Sequence, residues 1–136
     1  EEALFTGDHI MGWSTTVVTP PDGDMRDYFA SVRKLQARND KVLWPTHGNP
    51  ITDPQPFLRA YLEHREEREA QVLEQVRAGV STIKKIVEVL YADVHQQLHK
   101  AAGRSVYAHL IKLSEDGLVA VANGEAPAKK SVYLPK

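Results

Sequence analysis

The feature that most constrains this chain is a long helix in its middle. From about Pro56 to Ala78 the residues follow a helical pattern. Pro suits a first turn, and Gly79 is a natural C-cap. Leu58, Leu62, Arg65, Glu69, Val72 and Val76 fall along one stripe, apolar at both ends and charged in the middle. The mixed-sign run His64-Arg65-Glu66-Glu67-Arg68-Glu69 is expected to be a solvated face with i,i+4 pairing. Such a helix divides the chain into residues 1–54, a linking helix at 55–79, and residues 80–136.

Residues 1–54 alternate short strands with a helix. Leu4 and Phe5 run as a strand into Gly7-Asp8. Thr15 to Thr19, rich in β-branched residues, is expected as a second strand, broken by Pro20-Pro21-Asp22-Gly23. Asp24 is a good N-cap for a helix on which Met25, Tyr28, Phe29, Val32 and Leu35 share a face. Asn39-Asp40 ends it. Val42-Leu43-Trp44 then reads as a buried strand that delivers Pro45-Thr46-His47-Gly48 to a loop. This is α/β organisation, with polar residues at strand ends, where such folds place their sites. The chain opens without Met on what already reads as a strand, so it is expected to start inside a longer protein.

Residues 80–136 read as three short helices and a hairpin. Ser81 caps a helix with Ile83, Ile86, Val87 and Leu90 on one face. Asp93 caps a second, carrying Val94 and Leu98 and stopped at Gly103. Ser105 caps a third, with Val106, Leu110 and Leu113 inward. Asp116-Gly117 turns the chain. Strands at Leu118 to Ala122 and Ser131 to Leu134 follow, with Asn123-Gly124 starting their connection. Three helices and a C-terminal hairpin make the winged helix-turn-helix pattern.

Composition narrows the classes. An apolar fraction of 42% over 136 residues suffices for one domain or two small ones. No apolar run approaches a membrane span, and no secretory pattern opens the chain. The absence of cysteine excludes disulfides and thiolate metal sites and fits a cytoplasmic protein. A net charge of −1 gives no global field toward nucleic acid. Residues 80–136, with 8 basic and 5 acidic side chains, are mildly basic.

Two short motifs carry chemistry: Thr6-Gly7-Asp8-His9 and Pro45-Thr46-His47-Gly48. Each sets a metal-capable side chain beside a glycine on the loop after a strand. A carboxylate can bridge two cations, and a neutral imidazole is a strong zinc ligand. Either motif alone is weak, since a Gly-Asp pair is more often a plain turn and a loop histidine a surface residue. Their matching positions raise the signal.

The stretch from Phe5-Thr6-Gly7-Asp8-His9 through Met11-Gly12-Trp13-Ser14-Thr15-Thr16 to Val18, then Pro20-Pro21-Asp22-Gly23-Asp24-Met25 and Pro45-Thr46-His47-Gly48, resembles the second half of metallo-β-lactamase-fold hydrolases. It is most similar to the β-lactamase-like branch that includes an endoribonuclease with a C-terminal winged helix. Ala108-His109-Leu110-Ile111-Lys112-Leu113 before Asp116-Gly117-Leu118-Val119 agrees. The resemblance implies the second half of an αββα sandwich, then a long helix and a winged-helix-like α+β domain. It implies that Asp8 matches the carboxylate bridging two metals and His47 the last histidine ligand of one. Zinc is the usual metal. It holds a hydroxide that is nucleophilic near neutral pH and attacks a phosphodiester, as in RNA, or an ester, thioester or amide.

The sequence departs from that family in lacking the His-x-His-x-Asp-His motif and the histidine that precedes Asp8. None of His9, His47, His64, His95, His99 and His109 makes that spacing. One carboxylate and one imidazole fall short of the three protein ligands of a catalytic zinc site. This chain is therefore expected to bind zinc weakly and to be inactive alone, its partner being the N-terminal half of the catalytic domain. Half a sandwich also leaves apolar faces and strand edges uncovered, so self-association or an incompletely ordered N-terminus is expected.

Other residues have narrower readings. His9 sits beside the ligands or is oriented by backbone contacts. Trp13, Ser14 and Thr15 border a substrate pocket or simply pack. His95 and His99, at i,i+4, are expected to face solvent, and His109 to lie on a helix face. Arg104, His109, Lys112, Lys129 and Lys130 offer a thin basic face for nucleic acid, so packing or substrate guidance is favoured for the winged helix. The alternative to an enzyme part is a nucleic-acid- or protein-binding winged-helix module.

Overall fold

In the computed structural model, which describes residues 2–136, the order of elements is β1 (Ala3–Gly7), α1 (Met25–Gln36), β2 (Val42–Pro45), α2 (Pro54–Arg77), α3 (Ile83–Leu90), α4 (His99–Glu115), β3 (Val119–Val121) and β4 (Tyr133–Pro135). An α/β part is followed by the long helix and a winged-helix part, as the sequence implied. No helix among the described residues is long and apolar enough to cross a membrane.

Contacts group the chain into two units. One comprises the residues up to Thr16 with Asp27–Arg65, the other Val17–Arg26 with Glu66–Lys136. In the first, β1 and β2 are parallel neighbours, with Leu4 beside Leu43 and Phe5 beside Trp44. Side chains alternate across a strand. Leu43 is accordingly buried, while Phe5 is 83% exposed and Trp44 44%. Leu43 also exchanges both backbone hydrogen bonds with Ile51 at 2.9 Å. The buried apolar residues of this unit are Ile10, Tyr28, Phe29, Val32, Leu43, Ile51, Leu58, Tyr61 and Leu62. The last carbonyl of α1 is an orphan acceptor. Gln55 Nε2 satisfies it, donating to Gln36 O at 3.0 Å and to Arg38 O at 2.9 Å.

The expected strand at Thr15 to Thr19 does not form. Its backbone finds no neighbouring strand: Thr19 O accepts from Gly23 N–H at 2.7 Å in a turn, and Thr16 is held by side chains. Thr16 N–H donates to the Tyr61 hydroxyl at 2.7 Å, and Thr16 O accepts from Arg65.

The second unit has a continuous core of Val72 and Val76 on α2, Ile86 and Val87 on α3, Ala102, Val106, Leu110 and Leu113 on α4, and Val119, Val121 and Tyr133 on the antiparallel hairpin. Gly79, at φ +87°, closes α2, and Val80 N–H reaches back to Gln75 O at 2.9 Å. Two boundaries differ from the sequence reading. Thr82, one residue beyond Ser81, caps α3, its hydroxyl accepting from Lys85 N–H at 3.4 Å. A short 3-10 turn, Gln96–Leu98, replaces the Asp93-capped helix and runs into α4, which continues through Gly103 and Ser105 as one helix. Apolar anchors on both sides of Gly103, at Ala102 and Val106, hold it in the helix despite its poor propensity.

The charged middle of α2 is solvated only in part: His64, Glu66 and Glu67 are exposed as expected, but Arg65 and Glu69 turn inward. Arg65 is 5% exposed, and Glu69 is largely covered. In the second unit Glu69 accepts from His109 Nδ1 at 3.0 Å and from Lys112 Nζ at 2.5 Å. Lys112 also binds Asp116 at 3.0 Å. Asp116 binds Arg26 at 2.5 Å, and Arg26 reaches Glu115 at 2.9 Å. His109 lies on α4, where a helix-face residue was expected, and is fully buried there. Burial alone would raise the pKa of Glu69, but hydrogen bonds to His109 and Lys112 overcome this and hold the carboxyl below its usual 4.5. A carboxyl depressed in the folded state contributes stability that is present above its unfolded pKa and lost as pH falls through the folded one. Glu69→Gln is thus expected to cost about 2 kcal/mol at pH 7 by urea unfolding. The gap to wild type should narrow between pH 5 and 3, about the usual carboxylate value. Parallel curves for the two proteins over that range would contradict this account.

Candidate metal centre

The two motif loops leave the paired strands side by side. Thr46 N–H donates to Gly7 O at 3.0 Å, so the ladder runs directly into Asp8 and His47. Asp8 Oδ1 lies 3.6 Å from His47 Nε2, and both side chains are more than half exposed. Two ligands on one tetrahedral zinc, with bonds of 2.0–2.2 Å, sit about 3.3 Å apart. The pair therefore suits adjacent positions on one cation. Among the described residues no group of three or more His, Cys, Asp or Glu side chains could hold a metal. The fit is that of part of a coordination shell.

Glycine sets the separation of the loops. Gly12 N–H donates to His47 O at 2.9 Å, and the two backbones touch there. A Cβ on Gly12 would meet Asn49 O at 2.7 Å and Gly48 Cα at 3.2 Å. Gly48 has φ +100°, and a Cβ on it would meet Gly12 Cα at 2.7 Å and Trp13 Cδ1 at 2.8 Å.

A second set of groups grips the Asp8 loop, most of them without a local sequence signal. The Tyr28 hydroxyl donates to His9 O at 2.7 Å and lies 3.0 Å from the Tyr61 hydroxyl. Tyr28 has a single proton and His9 O can only accept, so Tyr61 donates to Tyr28 while itself accepting from Thr16 N–H. The Thr16 hydroxyl donates to Asp8 O. Arg65 donates to Thr16 O and stacks its guanidinium over the Tyr28 and Tyr61 rings, 5.4 and 5.9 Å from their centroids. Burial, then the bond to Tyr61, raises the Tyr28 pKa and keeps it a neutral donor. Sequence signals existed for Arg65, which sits on the apolar stripe of α2. Tyr28 and Tyr61 were indistinguishable from core aromatics.

His9 stands edge-on to Tyr28, its ring centroid 4.9 Å away, with Nε2 3.0 Å from Ser31 Oγ. Burial lowers its pKa, favouring the neutral ring. Trp13, Ser14 and Thr15 line one wall of an open cavity of about 330 Å³, opposite Phe57, Ala60, Tyr61 and His64 of α2. Trp13 is 72% exposed, so it lines this wall without being a core residue. His95 and His99 do not converge. His95 Nδ1 accepts from Gln97 N–H at 3.3 Å, and His99 Nε2 faces the carbonyls of Tyr91 and Val94, each at 3.0 Å. His109 and Lys112, expected on a basic outer face of the winged helix, are instead tied to Glu69.

Residues 82–130 match the family model described as the beta-lactamase associated winged helix domain. The chain is 32% identical to the Beta-lactamase-like protein 2 homolog of Drosophila melanogaster, covering 99% of this chain and 46% of that protein. It is 33% identical to the Lactamase-like protein aptB of Emericella nidulans, covering 98% of this chain and 45% of that one. Among solved structures, a metallo-beta-lactamase family protein from Thermus thermophilus superposes with a TM-score of 0.80 at 20% identity, over 100% of this chain and 42% of its own. A Beta-lactamase domain protein from Burkholderia ambifaria gives 0.82 at 16% identity, over 98% and 42%. The fold is thus that of the C-terminal part of metallo-β-lactamase-fold proteins with their winged helix, and the chain spans less than half the length of the relatives it matches.

The close approach of the two loops yields a direct test. Gly12→Ala is expected to force the backbones apart, with loss of stability of about 1–3 kcal/mol. By NMR, it should shift the His47 imidazole resonances and remove exchange protection at residue 12. Unchanged His47 shifts would show that the glycines do not set the distance.

Proposed function

We propose that this chain supplies the C-terminal part of a zinc-dependent hydrolase, with Asp8 bridging two cations and His47 binding one. The observation that carries this reading is the 3.6 Å between Asp8 Oδ1 and His47 Nε2 at matching strand ends. Zinc, when bound, supplies Lewis acidity that lowers the pKa of water toward neutrality. The chain's own residues do the rest. Gly12 and Gly48 hold the two ligand loops together. Thr16, Tyr28, Tyr61 and Arg65 fix the backbone that carries Asp8. The cavity beside Trp13 orients a substrate, an RNA phosphodiester or a small ester or thioester. A catalytic zinc needs three protein ligands. On this reading the other donors come from an N-terminal half of the catalytic domain, in a cytoplasmic protein of the length of its relatives, and the 136 residues alone hydrolyse nothing.

Elemental analysis of the chain after dialysis against excess zinc is expected to find close to no zinc. One or two zinc per chain would overturn the incomplete-site reading. In a protein extended to full catalytic length, Asp8→Ala and His47→Ala should each reduce hydrolysis to background, and retained activity in both would refute the assignment.

The uncovered sheet face bears on the same reading. Phe5 and Trp44 are cross-strand neighbours on a face open to solvent, and β1 pairs only with β2 among the described residues. An N-terminal half would cover that face. Without it, light scattering should give a mass above 15.2 kDa. The double substitution Phe5→Ser and Trp44→Ser should bring it down. A clean wild-type monomer would count against this.

A further inference from the structure

In the second unit two adjoining cavities share Ile83, Lys100, Gly103 and Lys129. One, of about 190 Å³, adds Arg104 and Tyr107; the other, of about 320 Å³, adds Lys84, Val87 and Glu88 of α3 and His99 of α4. Together they form one groove along α3 and α4 with the β3–β4 connection at its rim. Its floor is apolar. The Tyr107 hydroxyl is already committed, donating to Pro127 O at 3.1 Å. Its rim is cationic. No carboxylate among the described residues pairs with Lys100, Arg104 or Lys129, whereas Lys84 and Glu88, which line the larger cavity, offset each other at 3.9 Å.

Gly103 carries the argument. Glycine inside a helix costs about 1 kcal/mol relative to alanine. Packing does not require it here. A Cβ would meet only Ile83 Cγ2 at 3.6 Å and Val87 Cγ2 at 3.9 Å, both ordinary contacts. What a side chain at this position would remove is space common to both cavities.

We propose that this groove binds a short acidic peptide segment with a bulky apolar side chain between its carboxylates. The apolar floor takes the side chain, which supplies the affinity. The three uncompensated cations take the carboxylates, which set orientation and association rate. Both cavities open to solvent, as an extended chain requires. A nucleic acid fits less well. Strand binding draws on many phosphate contacts and stacked aromatics, and this groove offers three uncompensated cations, the carboxylate of Glu88, and the rings of Tyr107 and His99. The site does not depend on the metal reading.

The test is fluorescence anisotropy on the 136-residue chain with a labelled peptide, Glu-Asp-Leu-Phe-Asp-Glu. Controls are its neutral counterpart Gln-Asn-Leu-Phe-Asn-Gln, the acidic Glu-Asp-Ser-Ser-Asp-Glu, and a labelled oligothymidylate. The full peptide is expected to bind at least tenfold tighter than any control. Gly103→Leu, which fills the groove, should weaken it about tenfold or more, as should Lys100→Glu with Arg104→Glu on the exposed rim. Gly103→Ala should melt no lower than wild type, which separates loss of the groove from loss of the fold. The proposal is overturned by no binding, by equal binding of the serine peptide, by affinity indifferent to both Gly103→Leu and the charge reversals, or by tighter binding of the oligonucleotide.

Discussion

A charge removed from water must be given partners, and α2 carries two on its buried stripe. Arg65 and Glu69 are one helical turn apart, and each organises the polar groups of its own unit. Arg65 takes the carbonyl of Thr16 and the faces of Tyr28 and Tyr61, and so anchors the irregular loop that carries Asp8. Glu69 takes His109 and Lys112, and so fixes α4 against the second half of α2. Neither charge is replaceable by its partners alone, because an ion left buried after its partner is removed keeps its full desolvation cost. This explains a helix whose stripe is apolar at both ends and ionic between.

That arrangement also marks where sequence reasoning reached its limit. The apolar spacing of α1, α2, α3 and α4 was legible because burial of a face imposes the helical period directly. The hairpin was legible from Asp116-Gly117 and Asn123-Gly124, whose glycines at positions 117 and 124 adopt φ of 73° and 75°. Arg65 and Glu69 were visible on the stripe, yet the run around them reads equally well as a wet surface. Only the distant residues Thr16, Tyr28, His109 and Lys112 decide between the two. Thr15 to Thr19 failed for the same reason. Its β-branched composition favours a strand, but the ladder partners a strand needs were replaced by a tyrosine hydroxyl and a guanidinium from α2.

The candidate site divides along the same line. Asp8 and His47 could be named from local motifs, since a strand end beside a glycine is a local feature. Their separation could not. It depends on Gly12 lying against Gly48 and on hydroxyl groups contributed from positions 16, 28 and 61. The relay from Thr16 N–H through Tyr61 and Tyr28 to His9 O holds both ends of the segment from His9 to Thr16. A loop that must present a ligand at a set distance cannot rely on its own backbone preferences. It needs donors from elements that are themselves packed, and Tyr28 and Tyr61 sit among the buried residues of α1 and α2.

Counting basic residues on α4 gave a misleading picture of its surface, and direction corrects it. Lys112, which carries positive charge, is compensated by Glu69 and Asp116, and His109 is buried beside the same glutamate. Lys100 and Arg104 lie on the turns around Gly103, where i, i+3 and i+4 positions share a side of the helix, and there they border open space. The same helix thus spends one side on holding the fold and leaves the other both charged and hollow. A mid-helix glycine with room for a methyl group gains nothing for the helix, so its sense has to be sought in the space it leaves.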